Sequence, residues 1–360
     1  MKISLKSREL SSILVNLIVV KMLFTYPRYL VERCQNGAWI SVAVYGAVAI
    51  GIYYLTQYFY MKTGRKTILE QAQALGGRFF RALTAIILIA VLIMDTAPMV
   101  RAFPEAIKTA LLQNTQMLDI TVILTIGVVF GAYNGIGALG RVSSIFLPVA
   151  GISILGFFVI LGQFYKLNNI FPLAINRSLT NGVSSLSIYS DIIVVNFLLP
   201  YIDDMKTVKR AGLAALVIGV LSSFFITLAY CLVYPFPSSA RFISPIYQLA
   251  RIVKIGTYFQ RLEAIFEFVW SISIFLYTSV YLFIMCDIFR FGFGLKHYKP
   301  LVFPMMLILL RFVYWEEGYN KTLISNYVVT AVLYPVLYAL PLIYGLFYLI
   351  KLRRKEKLRQ

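Results

Sequence analysis

The stretch Ser12–Val31, SILVNLIVVKMLFTYPRYLV, constrains this chain most. It is apolar and long enough to cross a bilayer, which takes roughly 20 residues. Yet Lys21 stands near its middle and Pro27 interrupts its far third. A charge at mid-depth costs roughly 2.5–3.5 kcal/mol even on a lenient insertion scale, so Lys21 requires a carboxylate, a set of backbone carbonyls or a water-filled cavity. Pro27 cannot donate the helical bond to the carbonyl four residues earlier, near Leu23. Non-helical backbone at membrane depth is tolerated only where protein encloses it or it lines a cavity. The first span therefore reads as a helix broken around a polar centre.

The remainder of the chain has the composition to enclose such a centre. Of 360 residues, 60% are hydrophobic and 14% charged, with a mean hydropathy of +0.79. Soluble domains run near half and a quarter, so the sequence specifies an all-α polytopic membrane protein. Ten spans are expected, at about 12–31, 37–60, 82–103, 118–136, 142–163, 185–202, 211–234, 262–289, 300–315 and 324–350. With the N-terminus inside, 21 of the 34 Lys and Arg residues fall in cytoplasmic segments and 11 in outer ones. That bias puts both termini in the cytoplasm. The net charge of +19 belongs to these loops and to anionic headgroups rather than to a nucleic-acid partner.

The chain reads as one transmembrane domain over 1–360, its first half at about 8–163 and its second at about 185–351. The inner loop 61–80 carries Ile68, Leu69, Ala72 and Leu75 at helical spacing, and the outer loop 235–260 carries Ile246, Leu249, Ile252 and Val253. The second pattern, with its basic residues, predicts an amphipathic helix on the membrane surface. The basic N-terminus runs into a full span without a small-residue cleavage site, so no cleavable signal is expected. Cys34, Cys231 and Cys286 are odd in number and scattered, suggesting neither disulfides nor zinc, and His297 lies in a loop. With no nucleophile–base set and no metal spacing, the sequence predicts neither an enzyme nor a bound cofactor or metal.

Polar residues inside spans mark function by default. Asp95 lies about 20 Å from the inner end of its helix and Lys21 about 14 Å from the inner end of its own, at 1.5 Å per residue. A lysine stem can bridge that difference, which makes Asp95 a candidate counter-charge. In the sixth span Ser184, Ser187 and Asp191 share one helical face, with Tyr189 and Ser190 beside them and Asn196 and Pro200 following. This is the second candidate for a broken helix. The eighth span places Glu263, Glu267, Ser271 and Thr278 on one stripe, flanked by Trp270. Each has a plainer reading: Lys21 in a structural ion pair, Asp95 bracing a kink before Pro98, Glu263 paired with Arg261 at the interface. Serine hydroxyls in spans often bond only to their own helix.

The joint pattern carries more than its parts. Interrupted helices five spans apart are what two inverted five-helix halves would give, with a ligand site between them near mid-membrane. Half-helix N-termini attract a carboxylate there, while freed carbonyls and acidic side chains hold an ammonium group.

Four segments then resemble the endospore germination permease family, the membrane-embedded B subunit of spore germinant receptors. They are YPRYLVERCQNGAWI (26–40), YNGIGALGRVSSIFLP (133–148), LSIYSDIIVVNFLLPYI (186–202) and SPIYQLARIVKIGTYFQRLEAIFEFVW (244–270). The family belongs to the amino acid/polyamine/organocation superfamily with the LeuT-type inverted-repeat fold. The resemblance implies a subunit in the spore inner membrane that recognises a small germinant, such as an amino acid, and signals germination with an A subunit and a C-subunit lipoprotein. It places Lys21–Thr25 and Ser187–Asp191 beside the ligand, with the third and eighth helices, through Asp95, Glu267, Trp270 and Ser271, completing the pocket. Pro27, Pro200, Arg261 and Glu263 would shape or gate it. Many members have glycines in the first helix before the proline, where this chain has Val19, Val20, Lys21 and Met22. Either Lys21 binds the ligand's carboxylate or it fills the position of a coupling cation, and both disfavour sodium coupling. A sensor is the leading reading. A secondary transporter of amino acids, proton-coupled through Asp95 or Asp191, and a gated ion or water pathway are the alternatives.

Overall fold

The computed structural model describes residues 4–24, 26–242, 244–253, 262–315 and 319–357. Among these, eight helical segments are long and apolar enough to cross a membrane. The 16-residue helix Ser7–Met22 and the 12-residue helix Val302–Val313 stand at the first and ninth of the ten expected spans, and the helices keep those span numbers.

The first span is two helices, Ser7–Met22 and Tyr26–Cys34. Before the break the backbone tightens, with Leu23 N bonding to both Val19 O and Val20 O and Phe24 N to Lys21 O. Pro27 is the second residue of the second helix. Its missing N–H costs nothing in a first turn, and its fixed φ favours helix. Proline here starts a helix rather than kinking one.

The sixth span never settles into one regular helix. Between Gly182 and Tyr201 it alternates α turns at Leu186–Tyr189 and Val195–Leu198 with 3₁₀ turns at Ser190–Val194 and Leu199–Tyr201. Hydroxyls serve the displaced carbonyls: Ser187 Oγ donates to Ser184 O at 2.6 Å and Ser190 Oγ to Ser187 O at 2.8 Å. Tyr338 OH, from the tenth span, donates to Leu186 O at 3.0 Å. Pro200 opens the last 3₁₀ turn.

The inner-loop helix expected from the sequence precedes the third span, the two running as Ile68–Ala110 across a kink at Gly76 and Gly77, where φ and ψ are non-helical. Thr67 and Glu70 cap its start reciprocally, Thr67 N donating to Glu70 Oε2 at 2.7 Å and Glu70 N to Thr67 Oγ1 at 3.3 Å. The two parts meet at a bend where Gly77 has φ 77° and ψ −164°, a conformation open essentially to glycine alone. Gly77→Ala should therefore cost of order 1–3 kcal/mol. Gly51→Ala, in a helix with nothing near a Cβ, should be neutral or better. Thermal melts of the two variants in one detergent check this. In the bundle the third span packs against the eighth, the first and second against the seventh, and the tenth against the third. The loop between the seventh and eighth spans contains the helix Pro245–Ile252, its Ile246 and Leu249 buried.

Candidate functional site

The two interrupted spans bring Lys21 and Asp191 together in the middle of the bundle. Lys21 Nζ donates to Asp191 Oδ1 at 2.7 Å and to the third span's Asp95, 3.2 Å from Oδ1 and 3.3 Å from Oδ2. All three are enclosed, with Lys21 and Asp191 1% exposed and Asp95 3%. The break frees Lys21 from a continuous helix wall, and the irregular sixth span lets Asp191 turn towards it.

Tyrosines complete the shell. Tyr334 OH, on the tenth span, donates to Asp95 Oδ1 at 2.6 Å and pairs with Tyr26 OH at 3.1 Å. The Lys21 ammonium lies 5.1 Å from the centre of the Tyr334 ring, a cation–π contact. Tyr281 OH lies 2.5 Å from Asp191 Oδ1 and 3.2 Å from Asp95 Oδ2, and Tyr277 OH lies 3.4 Å from Asp95 Oδ2. One hydroxyl hydrogen cannot serve both carboxylates at once, so Tyr281 bridges them as an exchangeable donor. Among the described residues Asp95 thus has four donating neighbours and Asp191 two, and Asp191 Oδ2 is buried without a hydrogen-bond partner. The arrangement holds one ammonium between two carboxylates, away from water, where Coulomb attraction is strong and desolvation costly.

Past the break of the first span lies an aromatic stack. Phe24, just past the break, lies parallel to Trp270 with ring centres 5.2 Å apart, and Phe103 packs on Trp270 at 5.3 Å. Glu267, one turn beyond Trp270, is buried with Oε2 unpartnered, as is Trp270 Nε1.

The remaining sequence candidates fall elsewhere. Ser187 and Ser190 direct their hydroxyls to their own backbone, and Ser271 Oγ donates to Glu267 O at 2.7 Å. Tyr189 is buried with its hydroxyl on Val42 O, 3.0 Å away. Thr25 and Arg261 lie outside the described residues, as does the side chain of Glu263. Sequence reasoning missed Tyr277, Tyr281 and Tyr334. The first two stand four residues apart on the face of the eighth helix that continues from Trp270, a signal that was available; Tyr334 offers none.

Residues 4–321 match the spore germination protein family, also described as the spore permease family. The chain belongs to that family. Two Bacillus subtilis (strain 168) members are similar to it. Spore germination protein A2 is 25% identical over 358 residues, covering 96% of this chain and 94% of that protein. Spore germination protein KB is 22% identical over 286 residues, covering 76% of each. Among solved structures, the Eremococcus coleocola manganese transporter superposes as a mutant, with a TM-score of 0.54 at 13% identity, covering 95% of this chain and 78% of that one. The same transporter bound to an aromatic bis-isothiourea compound gives 0.55 at 12%, covering 95% and 76%. At such identities the likeness shows a shared LeuT-type fold and nothing about cargo. Family and fold together give this spore germination protein a germinant-receptor or permease-like role in a membrane.

Proposed function

We propose that this spore germination protein is the B-type subunit of a germinant receptor and that it binds a small germinant bearing an ammonium group, such as an amino acid, at the Lys21–Asp95–Asp191 centre. The observation that carries the reading is the meeting of both interrupted spans at a single buried ammonium held by two carboxylates. The Lys21 ammonium is already engaged by Asp95 and Asp191, which favours its filling a cation's position over its waiting for a ligand's carboxylate. A ligand's own ammonium competes for those oxygens. Its arrival would require Lys21 and the Phe24–Trp270 stack to move, and that movement would be the signal. Differential affinity for the closed and opened arrangements sets how far the equilibrium shifts. The A-type subunit and the C-type lipoprotein, in the spore inner membrane with both termini of this chain in the cytoplasm, would receive it.

The test uses the chain with its two partner subunits in proteoliposomes and a labelled amino-acid panel. Saturable binding without accumulation, lost in Asp191→Ala and kept or tightened in Lys21→Ala, where the competing ammonium is gone, is the expected result. Concentrative uptake would replace the sensor by a transporter, and conductance without saturable binding would replace it by a channel.

A further inference from the structure

Behind the aromatic stack a cavity of about 220 Å³ lies between the fifth and eighth spans. Its wall includes Leu23 at the break of the first span, Ile152 and Gly156 of the fifth, Ile246 of the short loop helix, and Phe266 and Val269 of the eighth. Among the described residues the one polar side chain in the wall, Ser153, donates its hydroxyl to Val149 O of its own helix at 2.9 Å. A water there would forgo most of its hydrogen bonds, and apolar cavities of about 150 Å³ are known to stay dry and accept hydrocarbon guests. This one is larger.

Its mouth opens on hydrocarbon. Ile152 is 73% exposed, on a helix that also exposes Ile145, Leu155 and Val159, so the medium continuous with the cavity is the acyl-chain region of the bilayer. Gly156 widens the entrance, since a Cβ built there meets nothing within 4 Å.

We propose that this cavity binds one acyl chain of a membrane phospholipid and that the chain braces the break of the first span from behind. Lipid tails are as apolar as leucine, so no hydrophobic gain drives this contact. The driving force is dispersion, because wall atoms facing a void lose contacts that a chain restores. The cavity therefore selects for a flexible hydrocarbon chain and not for a headgroup. Leu23 adjoins Phe24 and Val269 adjoins Trp270, so a seated chain touches the immediate chain neighbours of the two stacked residues. Lipid occupancy and opening of the centre are thereby coupled through contiguous side chains.

Photolabelling tests the site. The protein in nanodiscs of phosphatidylglycerol, with a diazirine midway along one chain, is irradiated and its peptides mapped by mass spectrometry. Adducts should concentrate on 152–160 and 266–269 relative to the exposed fourth-span residues Ile123 and Ile126. Gly156→Trp, whose indole enters the cavity from a position with open space, should reduce them about tenfold by taking the contacts a chain would make, leaving Ile123 and Ile126 labelled as before. Gly156→Leu should give a smaller reduction, and it decides the question if the tryptophan variant is not recovered folded. Labelling no denser at the cavity than at Ile123 and Ile126, or unchanged in the folded variants, overturns the proposal. So does loss of the adducts when the partner subunits are present, since that assigns the cavity to a partner's side chain.

Discussion

Lys21→Met should cost the folded protein roughly 3–5 kcal/mol, because it withdraws the ammonium from two carboxylates that stay buried. The methionine fills most of the stem's volume, so packing contributes little and the loss is electrostatic. That attribution has its own check. Adding Asp95→Asn and Asp191→Asn to Lys21→Met removes every formal charge from the centre, and neutral replacement of a whole buried ion set is often close to neutral in stability. The triple variant should therefore melt well above the single one in the same detergent; a triple variant no better than Lys21→Met would mean that shape, not charge, holds the site. Lys21→Ala extends the test to ligand chemistry. The atoms it deletes beyond Cβ amount to a propylammonium ion, which the two carboxylates and the Tyr334 face should accept. Free propylammonium should stabilise Lys21→Ala by about 2.7 kcal/mol at a hundred times its dissociation constant, raising its melting temperature, and leave the wild type unmoved. Failure of the folded variant to respond would remove the ammonium from the proposed germinant while leaving family membership untouched.

How much of this was legible beforehand depends on which physical signal each residue sends. A charge within an apolar run is rare enough to stand out, so Lys21, Asp95 and Asp191 announce themselves, and comparison of helical depths already pairs the first two. Pro27 marks the first interruption because only backbone chemistry is at stake there. Hydropathy also locates the eight described helices that are long and apolar enough to cross a membrane. The inner-loop helix is legible from its apolar spacing, and Gly76 and Gly77 after it are where the backbone leaves helical φ and ψ before the third span. The serines of the sixth span mislead in another way. A hydroxyl on the right face can answer a ligand or its own backbone, and Ser187 and Ser190 answer backbone that an irregular helix leaves unpaired. Tyrosine is the hardest. With 25 in the chain, most read as packing or interface belt, and only the fold shows that Tyr277, Tyr281 and Tyr334 converge on one carboxylate from two helices.

That convergence makes the two aspartates unequal, and Asp95→Asn should be far more damaging than Asp191→Asn. Either change leaves one carboxylate against one ammonium, so the formal charge is the same in both, and any difference reports hydrogen bonding. Asp95 receives Lys21 and Tyr334 on Oδ1 and faces Lys21, Tyr277 and Tyr281 with Oδ2. An amide there must turn its NH₂ towards a donor in either orientation, stranding buried groups at about 1–3 kcal/mol each. Asp191 concentrates its two bonds on Oδ1 and leaves Oδ2 without a partner. An asparagine can keep its oxygen facing Lys21 and Tyr281 and put its NH₂ where nothing is displaced. Melting temperatures of the two variants, purified side by side, should therefore fall well below wild type for Asp95→Asn and stay near or above it for Asp191→Asn. Equal losses would show that hydrogen bonding does not separate the two aspartates and that the orphan oxygen of Asp191 matters as much as the four-donor shell of Asp95.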